Sequence, residues 1–189
     1  MSLDWKASRS GGLHGTYTVP GDKSISHRAI MLAALAEGES RIEGFLEGED
    51  TRATAKIFSQ LGVRIETPDA HTRIVHGVGL HGLKASAEAL DCGNAGTGMR
   101  LLTGLLSAQA FDSVLVGDAS LSKRPMARVI RLLEAMGAHI DARDGNFAPL
   151  RIHGGRVLQG QSLDTQVASA QVKSALIFAA LYAEGERVI

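Results

Sequence analysis

Two kinds of apolar pattern alternate along the chain. Stretches 26–45, 98–118 and 172–189 share the first: a basic residue, about ten almost wholly apolar positions, a polar turn, then a short strand. Arg28, Arg100 and Lys173, near the openings of these stretches, recur at intervals of 72 and 73 residues. A helix that is apolar all round is predicted to be buried on every side. Stretches 49–66 and 123–141 share the second pattern: an amphipathic helix, a stopping glycine, then a strand. Their glycines, Gly62 and Gly137, lie 75 residues apart. "TRIVHGVG" and "APLRIHGG" read as short strands bounded by Gly that close the first two units.

Each unit therefore reads strand, helix, strand, helix, strand, strand, a βαβαββ repeat. The predicted class is α/β, with buried parallel helices surrounded by sheets. The repeats span about 21–90, 91–163 and 164–189, and the third is incomplete because it stops one strand after its first helix. A domain of three units left so would keep an open edge and an uncovered face. The expectation is a piece of a longer protein.

Composition narrows the function. The 189 residues carry 20 basic and 20 acidic side chains, which gives no support to general nucleic-acid or acidic-membrane binding. Any anion site must be local. No apolar stretch approaches the length needed to span a bilayer, and the start "MSLDWKASRSGG" lacks a signal-type apolar core. A single cysteine, Cys92, excludes an internal disulfide, and a cytoplasmic location is expected.

The candidate chemistry lies at the helix starts. "PGDKSISHR" puts Lys23 and Arg28 where a helix begins, and a cation there typically costs roughly 0.3–1 kcal/mol. "CGNAGTGMR" and "QVASAQVKS" repeat the arrangement: small residues, then a cation. Free N–H groups with small residues allowing close approach make an anion site, and a cation there strengthens it. The plainer reading makes Ser24, Ser26, Thr97 and Ser169 simple N-caps, with the cations paired to carboxylates or solvated. "GDASLSKRPM" adds Lys123 and Arg124 before Pro125, a residue favoured at the first helical position. Guanidinium geometry makes Arg124 the better anion ligand of the two. The seven histidines show no ligand spacing with Cys92, so scattered surface or turn positions and no metal site are expected. Cys92 reads as a small buried residue, and Glu49 and Asp50 as the acidic first turn of a surface helix.

"PGDKSISHR", "GNAGTGMR", "GDASLSKRPM" and "ASAQVKSA" together resemble the N-terminal half of the 5-enolpyruvylshikimate-3-phosphate synthase family, in order and spacing, from about Gly15 onward. The resemblance implies an enolpyruvyl transferase-like fold of two domains, each of three repeats, closing over substrates. Residues 1–20 are expected to pack with the second domain, which residues 21–189 do not include. The implied reaction moves the enolpyruvyl group of phosphoenolpyruvate onto the 5-hydroxyl of shikimate 3-phosphate, releases phosphate, and uses no metal or organic cofactor. By resemblance, Lys23, the catalytic candidate, and Arg124 hold phosphoenolpyruvate with Asn94, Gly96 and Thr97. Ser24 and Arg28 hold the shikimate part, and Ser169 and Gln171 hold the 3-phosphate and ring. Many members have a second serine where this chain has Ala170, so there a backbone N–H replaces a hydroxyl. Glyphosate is the implied inhibitor at the phosphoenolpyruvate site. The chain alone is expected to be inactive. A UDP-N-acetylglucosamine-type enolpyruvyl transferase and a non-catalytic phosphometabolite-binding module remain alternatives. Against the first stands Ser24, where that enzyme has Asn.

Overall fold

The computed structural model describes residues 5–9, 11, 12, 14–165 and 168–186. Among the described residues five α-helices and seven strands follow one another: α1 (Lys23–Leu35), β1 (Glu37–Ile42), α2 (Glu49–Gln60), β2 (Arg64–Asp69) and β3 (Thr72–Val78). Then come β4 (Leu90–Asp91), α3 (Gly96–Leu106), β5 (Ser113–Val116), a 3-10 turn at Leu121–Lys123, α4 (Ala127–Ala135), β6 (His139–Arg143), β7 (Phe147–His153) and α5 (Ala170–Ala180).

The repeat is visible in the pairing. β1, β3 and β2 form one antiparallel sheet in that order, and β5, β7 and β6 repeat the same order in a second sheet. β4 adds to β5 in parallel, as a strand leading into a helix must when the chain returns beside it. The third unit begins the same way, with Gln159 bridging Glu184 in parallel on either side of α5. The strand expected to run to Ile189 lies outside the described residues. The strand expected ahead of α1 is not formed: residues 14–22 have no ladder partner among the described residues, and Tyr17 and Val19 are exposed.

The amphipathic helices stop alike. Gly62 (φ +92°) ends α2 and Gly137 (φ +102°) ends α4, both in the left-handed region that glycine occupies without steric cost. In each case the next N–H reaches back five residues, Val63 to Phe58 and Ala138 to Leu133, at 3.0 Å.

Helix α3 is central, touching α1, α2, α4, α5 and β5. Its core leucines and Met99 are fully buried. Its two fully buried hydroxyls are satisfied within the helix and its end: Thr103 donates to the Met99 carbonyl (2.8 Å) and Ser107 to that of Thr103 (2.7 Å). The expectation of burial on all sides holds for α3 alone. Ile25 and Leu32 on α1, and Ile177 on α5 with Leu181 at its C-cap, are exposed because these two helices have neighbours on only part of their circumference. No helix among the described residues is long and apolar enough to cross a membrane.

Candidate active site

The three apolar helices begin differently. Asp22, not Ser24 or Ser26, caps α1, its Oδ1 accepting the Ile25 N–H at 2.8 Å. Ser26 is buried instead, donating to the Asp22 carbonyl (2.8 Å) and accepting from the Leu46 N–H (3.0 Å). Ser169 caps α5, accepting from the Val172 N–H at 3.4 Å. Helix α3 has Ala95 at its N-cap and no side-chain cap; the Gly96 N–H donates to the Asn94 carbonyl at 2.9 Å, and the cap supplies no side-chain acceptor to the N–H groups that follow.

These starts converge. Arg28 on α1 donates to the Ser174 hydroxyl on α5, at 2.8 Å from Nη2 and 3.2 Å from Nε, and to the Ser24 carbonyl at 3.0 Å. Arg100 on α3 donates to Gln171 Oε1 (3.0 Å) and the Gly96 and Pro125 carbonyls (3.1 Å each). Gln171 completes the link by donating from Nε2 to the Thr97 hydroxyl at 3.0 Å. Arg124 donates to Asn94 Oδ1, and Asn94 donates to Asp118 Oδ2 at 2.7 Å. A Cβ placed on Gly96 would lie 3.0 Å from Arg124 Nη1 and 3.1 Å from Arg100 Nη1. Lys23 pairs with Asp50 Oδ2 at 2.8 Å. Asp50 is the second residue of α2, and its backbone carbonyl receives the Thr54 hydroxyl at 3.4 Å. Ala170 opens α5 and is exposed. All ten residues singled out from the sequence thus lie at or beside the three helix starts.

The cluster is positive. The hydrogen-bond acceptors of Arg28, Arg100 and Arg124 are carbonyls, amides and hydroxyls, and the carboxylate of Asp118 acts on Arg124 only through space. Burial, and then the neighbouring charges of Arg124 and Arg128, lower the Arg100 pKa from its ordinary value. A cavity of about 250 Å³ opens between the starts of α3, α4 and α5, lined among others by Arg100, Arg128, Ser169 and Gln171. Arg128, in the first turn of α4, was not singled out from the sequence.

Two expectations are corrected. Helix α4 begins at Ala127 rather than Pro125, since Asn146 Oδ1 accepts the Met126 and Ala127 N–H groups (3.0 and 2.7 Å) and so sets the start later. The histidines are not all at surface or turn positions. His27 is completely buried on α1, its Nδ1 2.8 Å from the Thr54 hydroxyl and its Nε2 without a partner among the described residues. Burial, opposed by Asp50 and reinforced by Lys23 and Arg28, brings the His27 pKa down to about 4. Lys173, the in-register cation of α5, is exposed, as the plainer reading of a solvated cation has it. Cys92 is buried as expected, and burial pushes its thiol pKa up.

The family model for EPSP synthase (3-phosphoshikimate 1-carboxyvinyltransferase) matches residues 8–189. The chain belongs to this family. It is 65% identical over 182 residues to the 3-phosphoshikimate 1-carboxyvinyltransferase of Xanthomonas campestris pv. campestris (strain B100), covering 96% of this chain and 42% of that protein. It is equally similar to the one from Xanthomonas oryzae pv. oryzae (strain PXO99A), of which it covers 41%. Its fold matches that of an EPSP synthase from Acinetobacter baumannii with a TM-score of 0.89 at 56% identity, over 92% of this chain and 39% of the other. The EPSP synthase fold thus accounts for the repeat, and the chain spans about two-fifths of the length of these relatives.

Proposed function

We propose that this chain forms the substrate floor of an enzyme that transfers the enolpyruvyl group of phosphoenolpyruvate to the 5-hydroxyl of shikimate 3-phosphate, releasing phosphate. The observation that carries the reading is the convergence of three helix starts around Arg28, Arg100 and Arg124, whose acceptors are all neutral. Each substrate carries a phosphate and a carboxylate. Holding them side by side requires fixed cations and N–H dipoles to offset their repulsion, most effectively where water is excluded.

Lys23 and Arg124 hold phosphoenolpyruvate, helped by Asn94, Gly96 and Thr97 at the uncapped start of α3. Lys23 keeps donors to spare beside its Asp50 pair, because an ammonium offers three. Arg28 binds the shikimate carboxylate next to Ser24. Ser169, the Ala170 N–H and Gln171 take the 3-phosphate and ring, with Arg100 fixing the Gln171 amide. Glyphosate competes for the phosphoenolpyruvate part.

The remaining length of the relatives supplies the opposing domain in this reading. Residues 1–20 are the segment that docks there in this reading, which the exposure of Trp5, Tyr17 and Val19 supports. Calorimetric titration of the chain with shikimate 3-phosphate, UDP-N-acetylglucosamine and inorganic phosphate tests the assignment. Tightest binding of shikimate 3-phosphate is expected. Preference for the UDP-sugar, or no discrimination from phosphate, would overturn it.

A further inference from the structure

Strands β6 and β7 pair antiparallel with His139 opposite His153, and Asp141 lies two residues along β6 on the same face. The two imidazoles stack with centroids 4.3 Å apart and planes inclined at 19°. Both direct Nε2 at one carboxylate: His153 Nε2 is 2.8 Å from Asp141 Oδ2, and His139 Nε2 is 3.7 Å from Asp141 Oδ1. One donor atom from each of the three residues lies within 4.8 Å of the others. On the far edge of the His153 ring, Nδ1 stands 3.8 Å from Asp112 Oδ2.

We propose that His139, Asp141 and His153 form a site for a first-row divalent transition-metal ion, with Zn²⁺ the best fit and solvent as the fourth ligand. Two imidazole nitrogens with one carboxylate oxygen are a donor set suited to Zn²⁺, whereas Mg²⁺ and Ca²⁺ favour oxygen alone. Zinc bonds of roughly 2.0–2.2 Å need donors closer together than they now stand. Side-chain rotation suffices, because the strand register already fixes the three Cβ positions on one face. Asp112 Oδ2, 3.8 Å from His153 Nδ1, would need to move closer to accept Nδ1–H and leave the Nε2 lone pair for the ion. Arg151, the cross-strand partner of Asp141, weakens the local negative potential, so modest affinity is expected. His139 and Asp141 are exposed, so the ion has direct access.

The site is separate from the cation cluster. Asn146, in the β6–β7 turn, caps the start of α4, while His139 and His153 occupy the opposite end of the same two strands. A bound ion would clasp those strand ends without touching the helix starts.

Zn²⁺ titration of the 189-residue chain in a non-coordinating buffer at neutral pH should show one saturable micromolar site and no heat with Mg²⁺. His139→Ala with His153→Ala should weaken binding by roughly a hundredfold, and Asp141→Asn by about tenfold. A second measurement needs no variant: zinc should shift the imidazole NMR signals of two histidines, assigned to positions 139 and 153. Equal affinity in the double variant, absence of saturable binding, or shifts confined to other histidines such as His76 would overturn the proposal.

Discussion

Arg28 and Ser174, 146 residues apart, meet through two hydrogen bonds of 2.8 and 3.2 Å that join the first repeat to the third. The bond leaves the guanidinium charge intact, since a hydroxyl compensates none of it. In an enolpyruvyl transferase of full family length carrying this chain, Arg28→Ala should weaken shikimate 3-phosphate binding at least tenfold, because a charge-assisted hydrogen bond is worth about 1.5–3 kcal/mol. Ser174→Ala removes the tie but keeps the charge, and should cost much less. Equal losses in the two variants would mean that Arg28 acts only as a strut.

Gly96 sits under two guanidinium groups, and an added methyl would press on Arg124 Nη1 at 3.0 Å and Arg100 Nη1 at 3.1 Å. Gly96→Ala in the same full-length protein should raise the glyphosate inhibition constant by tenfold or more and raise the KM for phosphoenolpyruvate. Steady-state kinetics at several glyphosate concentrations measure both. Unchanged inhibition would place glyphosate elsewhere.

His27 makes stability depend on pH. Its folded pKa, about 4, lies below the 6.5 of an unperturbed histidine, so the unfolded chain binds the extra proton first as pH falls. The favourable contribution is therefore present above about pH 6.5 and is lost on descending towards pH 4, to a limit of about 3 kcal/mol. His27→Asn keeps a neutral polar group beside Thr54 and should flatten the urea midpoint across this window. A variant with the wild-type slope would assign the pH dependence to the carboxylates.

Gly104 allows α3 and α5 to pack at backbone distance. A Cβ there would lie 2.0 Å from the Ala175 carbonyl oxygen, which only separation of the helices can relieve. Gly104→Ala should destabilise the chain by about 1–3 kcal/mol or more, read as a lower urea midpoint. Because these helices also carry Thr97, Arg100 and Gln171, substrate affinity should fall with it.

The 189-residue chain holds the cationic floor but, in the proposed reading, one side of the cleft. Positioning both substrates for attack and excluding water need the other side. Phosphate release from phosphoenolpyruvate with shikimate 3-phosphate should therefore be undetectable with the chain alone and appear when a separately produced C-terminal half is added. Turnover by the chain alone would refute the division of labour.

The repeat, the class of fold and the residues at the helix starts were legible in the sequence because each is set locally. Apolar runs of fixed spacing make the helices, Gly62 and Gly137 stop two of them, and small residues precede the cations. What surrounds each element was not local. Helices α1, α3 and α5 carry similar patterns, yet only α3 is enclosed, because burial depends on neighbours supplied by distant segments. Asn146 rather than Pro125 sets the start of α4, through a hairpin turn some twenty residues later in the chain. Antiparallel register alone brings His139 to His153, and helix packing alone aims Arg28 at Ser174. A pattern along the chain records which face a residue takes; which partner meets it there is decided when the elements pack.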